Sequence, residues 1–62
     1  MPIIHINILE GRSQEKKDEL AARVADTASD ILEVKPEAVR ILIHEIPEEK
    51  WYVGGIPKSA KT

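Results

Sequence analysis

Two runs of β-branched residues, Ile3–Leu9 and Val39–Ile46, are separated by just enough chain for one helix and one connector. In the first run Ile4, Ile6 and Ile8 alternate with Ile3, His5, Asn7 and Leu9, which is the period-2 pattern of a strand with one wholly apolar face. In the second, Val39, Ile41 and Ile43 alternate with Arg40, Leu42 and His44, and Pro47 ends the strand. Between them Leu20, Val24, Ala28 and Ile31 recur at helical spacing with Leu32 beside them. Lys16, Glu19, Arg23, Asp26 and Asp30 fall on the opposite, polar face. Ser13 stands at the N-cap position, with Glu15 and Asp18 near the helix start, where acids are favoured. The helix is expected to end near Glu33, because Pro36 bars its continuation. Lys35–Ala38 then reads as a connector with one short helical turn.

Strand, helix and strand in that order predict a βαβ unit with parallel strands and a right-handed crossover. Gly11 marks the turn after the first strand. Trp51-Tyr52-Val53, Gly54-Gly55 and Ile56 predict a small hairpin, and Lys58–Thr62 a loose tail. The fold class is α+β, a single domain over residues 1–62.

Such a unit is unfinished by itself. The sheet face away from the helix would expose Ile3, Leu9 and Leu42, and both sheet edges would be open to another chain. A chain of 62 residues buries only about 60% of its unfolded surface and needs a staple. There is no cysteine, which excludes disulfides and thiolate metal sites. His5 and His44 do not make a metal site alone. Self-association is the staple left, so a homo-oligomer is expected. The net charge of −2 and the absence of a basic run point away from nucleic acid. No apolar stretch is long enough to span a bilayer, and the start lacks signal-peptide character. A soluble, cytoplasmic protein is expected.

The chain has no nucleophile elbow, phosphate-cradling loop or dinucleotide fingerprint, so any catalysis must use bases and cations without metal or cofactor. Arg12 precedes the N-cap, at the positive end of the helix dipole, where a cation is locally unfavourable. With the helix N–H groups it forms a candidate carboxylate-binding corner, or it is simply solvated. Arg40, at the start of the second strand, either faces water or becomes an anion binder if subunits pack there. Trp51 either closes an apolar pocket or anchors an interface. His5 and His44 read first as polar positions on the sheet, and Glu10 as a partner for the Gly11 turn or for Arg12.

Pro2 is either a strand cap or something more. Removal of Met1 would leave it with a free secondary amine. An ordinary α-amine titrates at about 7.7 to 8.0, and an apolar pocket beside two arginines disfavours its charged form by desolvation and by like charge. A neutral secondary amine near pH 7 suits general-base catalysis, with arginines stabilising charge on oxygen. If Met1 stays, Pro2 is a tertiary amide without a basic nitrogen.

The start PIIHINILEGRS, its spacing to VRILIHE and then WYVGG resemble the 4-oxalocrotonate tautomerase family over residues 2 to 56. The resemblance implies a βαβ subunit with a C-terminal hairpin, assembled as a hexamer of three dimers, with no cofactor. It implies that Pro2 is the amino-terminal general base and that Arg12 binds the remote carboxylate of a dicarboxylate substrate. It implies that Arg40, supplied by a neighbouring subunit, grips the 2-oxo acid end and acts as electrophile. Trp51 falls where the family usually has phenylalanine and would wall the pocket, and Leu9 matches a lining position. The implied reaction is ketonisation of 2-hydroxymuconate-like dienols to a conjugated 2-oxo acid. Dehalogenase relatives carry an acid two residues beyond the aromatic position, where this chain has Val53, which argues against hydrolytic dehalogenation. Two alternatives stay open. One is a related enzyme acting on other 2-oxo or β-keto acids. The other is a non-catalytic oligomer that holds an aromatic ligand.

Overall fold

A computed structural model describes residues 2–60. The first strand, β1, covers Ile3–Leu9; the helix α1 covers Gln14–Leu32; and the second strand, β2, covers Arg40–Ile46. β1 and β2 pair in parallel over their whole lengths, Ile3 opposite Arg40 and Leu9 opposite Ile46. The ladder is extended at both ends: Arg40 N–H donates to the Pro2 carbonyl at 3.0 Å, and Glu10 N–H donates to the Ile46 carbonyl at 3.0 Å. α1 and the connector cross from the end of β1 back to the start of β2, as a parallel pair requires.

The local signals act as their chemistry dictates. Ser13 Oγ accepts the Lys16 N–H at 3.2 Å, satisfying one of the helix's free donors. The helix ends at Glu33, which takes a left-handed conformation (φ 57°), while Val34 N–H closes back on the Ser29 carbonyl. Pro36–Ala38 make one 3₁₀ turn. After β2 comes a second such turn, Glu48–Lys50, and then the hairpin of β3 (Tyr52–Val53) and β4 (Ile56–Pro57). Gly54 and Gly55 both have positive φ, 60° and 81°, the requirement of the two-residue turn whose twist matches its strands.

Two expectations need correction. Lys58–Ala60 are not loose: they form a 3₁₀ turn, tied by the Lys58 N–H to the Trp51 carbonyl at 2.7 Å. Lys61 and Thr62 lie outside the described residues, as does Met1. The helix stripe is also displaced. Half-buried positions are Lys17, Ala21, Val24, Ala25, Ala28 and Ser29, whereas Leu20, Ile31 and Leu32 are exposed. Nineteen helical residues span about 28 Å against about 23 Å for a seven-residue strand, so the last turn overhangs the sheet. Lys17 reaches across instead: its Nζ pairs with Glu45 at 2.9 Å, tying α1 to β2.

Ile4, Ile6, Ile8, Ile41 and Ile43 are half-buried beneath α1, yet no described residue is buried outright. The radius of gyration is 14.8 Å, where a compact chain of this length would have about 10.6 Å. The accessible surface is 4953 Å², against about 4000 Å² for a compact monomer of this mass. The single chain is a slab, 45 × 24 × 13 Å, one helix and one sheet thick. No helix among the described residues is long and apolar enough to cross a membrane.

Replacing the cap, Ser13→Ala, is expected to lower stability by about 1 kcal/mol, read from denaturant midpoints at one fixed protein concentration. An unchanged midpoint would show that the Ser13–Lys16 contact carries no weight.

Candidate active site

The parallel register sorts the candidate residues into two groups at opposite ends of the sheet. Pro2 and Arg40 stand together at one end, joined through their backbones. The Arg40 guanidinium is exposed and donates from Nη1 to the Glu37 carbonyl at 2.6 Å, so the 3₁₀ turn before β2 steadies it. Leu9, Arg12 and Trp51 belong to the other end. Seven residues of extended chain, about 23 Å, separate Pro2 from Leu9.

At the far end the hairpin folds beside the tip of β1. Leu9, Trp51, Val53, Ile56, Pro57 and Lys58 line an open cavity of about 520 Å³. Its walls are largely apolar, and Trp51 and Leu9 both line it. Lys58, which sequence reasoning placed in a loose tail, is part of this wall; the pairing of β4 with β3 and the bond from its N–H to the Trp51 carbonyl bring the chain back there.

Arg12 lies next to this region but opens onto another recess. Ile8, Arg12, Lys16, Lys17 and Leu20 line a shallower hollow of about 210 Å³. Gly11 precedes it with φ 124°, a conformation natural to glycine, which turns the chain between β1 and the cap. Arg12 and Glu10 form no ion pair with each other, and Arg12 has no hydrogen-bond or ion-pair partner among the described residues. Lys17 is engaged by Glu45, which leaves Arg12 and Lys16 as the cations facing the hollow without a carboxylate.

His5 and His44 meet on the sheet face that α1 leaves uncovered, His5 Nδ1 lying 2.8 Å from His44 Nε2. Sequence reasoning put both on one face but missed their contact, because only the strand register sets it. Among the described residues no group of three His, Asp or Glu side chains converges as a metal site.

One chain therefore carries an apolar, tryptophan-walled cavity near one unpaired arginine, and a proline and a second arginine a strand's length away. Known proteins are similar to this one over almost the whole chain. The family model described as tautomerase enzyme matches residues 2–61. A 2-hydroxymuconate tautomerase of Pseudomonas putida is 42% identical over 59 residues, covering 95% of this chain and 94% of that one. A probable tautomerase of Ralstonia nicotianae is 40% identical over 60 residues, covering 97% and 86%. Among solved structures, a heterohexameric 4-oxalocrotonate tautomerase of Chloroflexus aurantiacus superposes with a TM-score of 0.90 at 41% identity, covering 95% of both chains. An extended family match and relatives at 40 to 42% identity leave one conclusion: this chain belongs to the tautomerase family and is an isomerase of that kind.

Proposed function

We propose that the protein is a cofactor-independent tautomerase that ketonises dienol 2-hydroxy dicarboxylates of the 2-hydroxymuconate type, in a site closed between copies of the chain. The observation that carries this reading is the separation of the site's halves. Pro2 and Arg40 lie at one end of the sheet and Leu9, Arg12 and Trp51 at the other, so no single chain can hold one small substrate against both. Both edges of the two-stranded sheet are open. Antiparallel pairing of two β1 strands about a two-fold axis would set the Pro2 end of each copy against the Leu9–Arg12 end of the other. The name of the Pseudomonas putida relative, a 2-hydroxymuconate tautomerase, supports the substrate class, and the heterohexamer of Chloroflexus aurantiacus supports an assembly of six chains, which for this protein we take as three dimers of one chain.

The chemistry then follows from the residue types. With Met1 removed, the neutral Pro2 amine takes the proton of the 2-hydroxyl. The oxygen's electrons form the C2 carbonyl, the diene shifts, and the proton is returned to C5, leaving a conjugated 2-oxo acid. Arg40 of a neighbouring copy holds the 2-oxo acid end and stabilises negative charge on oxygen. Arg12 holds the remote carboxylate. The Leu9–Trp51 wall keeps water from the amine and favours its uncharged form.

Pro2→Ala is expected to lower kcat/KM on 2-hydroxymuconate by about 10² to 10⁴, the usual contribution of a positioned base. Arg12→Ala and Arg40→Ala are expected to cost about 10² to 10³ with assembly intact. Normal turnover in Pro2→Ala would discard the proline base, whereas no turnover by the wild type, with ligand binding untouched by retention of Met1, would favour a non-catalytic ligand binder. Intact mass measured beside the assay checks the premise, because a sample retaining Met1 has no free amine and should be inactive. A parallel assay on 2-oxo and β-keto acids decides whether a different substrate class is preferred.

Subunit mixing tests the shared site. Pro2→Ala and Arg12→Ala chains, each inactive alone, are expected to regain activity when unfolded together and co-assembled, because some interfaces then pair an intact Pro2 with an intact Arg12. No recovery in verified mixed assemblies would place both residues' work within one chain.

A further inference from the structure

The apolar cavity at the hairpin end takes its charge from one residue. Leu9, Trp51, Val53, Ile56 and Pro57 are apolar, and Lys58 completes the lining. Arg12 lines the other recess, together with Ile8. Ile8 and Leu9 are successive residues of β1, so their side chains point to opposite faces of the sheet. The Arg12 recess, which also takes in Lys16, Lys17 and Leu20 of α1, lies on the helix side, and the Trp51 cavity draws its Leu9 wall from the other side. Among the described residues, Lys58 is therefore the cation on the tryptophan side.

The hairpin fixes where Lys58 stands. Tyr52 pairs with Pro57 and Val53 with Ile56, the Lys58 N–H donates to the Trp51 carbonyl at 2.7 Å, and a 3₁₀ turn begins at Lys58 itself. The residue is half-buried, and its ammonium has no hydrogen-bond or ion-pair partner among the described residues. Glu48 and Glu49 stand in the turn just before Trp51, and neither pairs with it. A lysine packed on apolar surface lays its methylene stem along that surface and keeps its charge at the water-facing rim. An apolar wall with one cation at its rim suits a ligand with an unsaturated apolar body and an anionic end, because a few placed polar groups orient a ligand in such a pocket.

We propose that Lys58 is a specificity-determining residue: it holds the remote carboxylate of a dicarboxylate whose unsaturated body lies on the Leu9–Trp51 wall, and so selects dicarboxylates over monocarboxylates. The inference rests on the site proposed above and adds to it. Arg12 approaches the remote carboxylate from the helix side, and Lys58 gives the tryptophan side a positive charge of its own.

The sequence contains one tryptophan, and it stands in this wall, so its fluorescence reports binding without any need for turnover. The test titrates the assembled protein with muconate and with sorbate, the same six-carbon diene carrying one carboxylate instead of two. The wild type is expected to bind muconate more tightly. Lys58→Met keeps the apolar stem and removes the charge, and it is expected to shrink the muconate-to-sorbate preference about tenfold, the size of one charged hydrogen bond. Lys58→Arg is expected to restore the preference. Lys50→Met, which removes the same charge from an exposed site outside the cavity, is expected to keep it. Equal preference in Lys58→Met and wild type, an equal loss in Lys50→Met, or a wild type that does not favour muconate would each overturn the inference. Should Lys58→Met not assemble, the side-chain NMR signals of Lys58 in the wild type decide: they must shift on adding muconate, and unmoved signals overturn the inference. A Lys58-dependent preference in a protein that does not turn over 2-hydroxymuconate would uphold the carboxylate site and remove the proposed reaction.

Discussion

Everything in this subunit depends on a sheet of two parallel strands covered on one side only. Parallel strands need a crossover, and the chain has length for one helix and no more. That helix shields Ile4, Ile6, Ile8, Ile41 and Ile43, and it leaves the face with Ile3, Leu42 and the two histidines without any cover from its own chain. The result is a slab 13 Å thick with no described residue fully buried. In most small domains burial supplies the driving force for folding, and within the proposed assembly other copies would supply a large part of it.

The same constraint governs chemistry. Parallel register puts the N-terminus of β1 beside the start of β2, which is why Pro2 and Arg40 are neighbours. It equally puts the hairpin that follows β2 beside the end of β1, which is why Trp51 and Leu9 line one cavity. A strand's length then divides the two groups. Within the proposed function, a fold that cannot close its core and a site that cannot close in one chain are two consequences of one geometry, and antiparallel pairing of copies would resolve both.

Much of this could be read from residue order. Alternation of isoleucines located β1 and β2; Ser13 marked the helix start and Pro36 its limit; paired glycines fixed the hairpin turn. These are local signals, each decided within a few residues. What could not be read depends on distances between elements. The helix stripe shifted because the last turn of α1 outruns the sheet, which leaves Ile31 and Leu32 exposed, while Lys17 joins the sheet through Glu45. The His5–His44 contact depends on register, which a one-residue slip would abolish. The Lys58 wall of the cavity depends on the hairpin folding the chain back against Trp51. Resemblance named Pro2, Arg12, Arg40, Trp51 and Leu9, but only the folded chain shows that they fall into two groups.

The central claim is that a working site exists only where copies meet. Specific activity on 2-hydroxymuconate, followed through a dilution series with the assembled fraction measured alongside, tests it most directly. The account predicts that activity per chain falls in step with the assembled fraction. Full activity per chain in a population shown to be monomeric would contradict it.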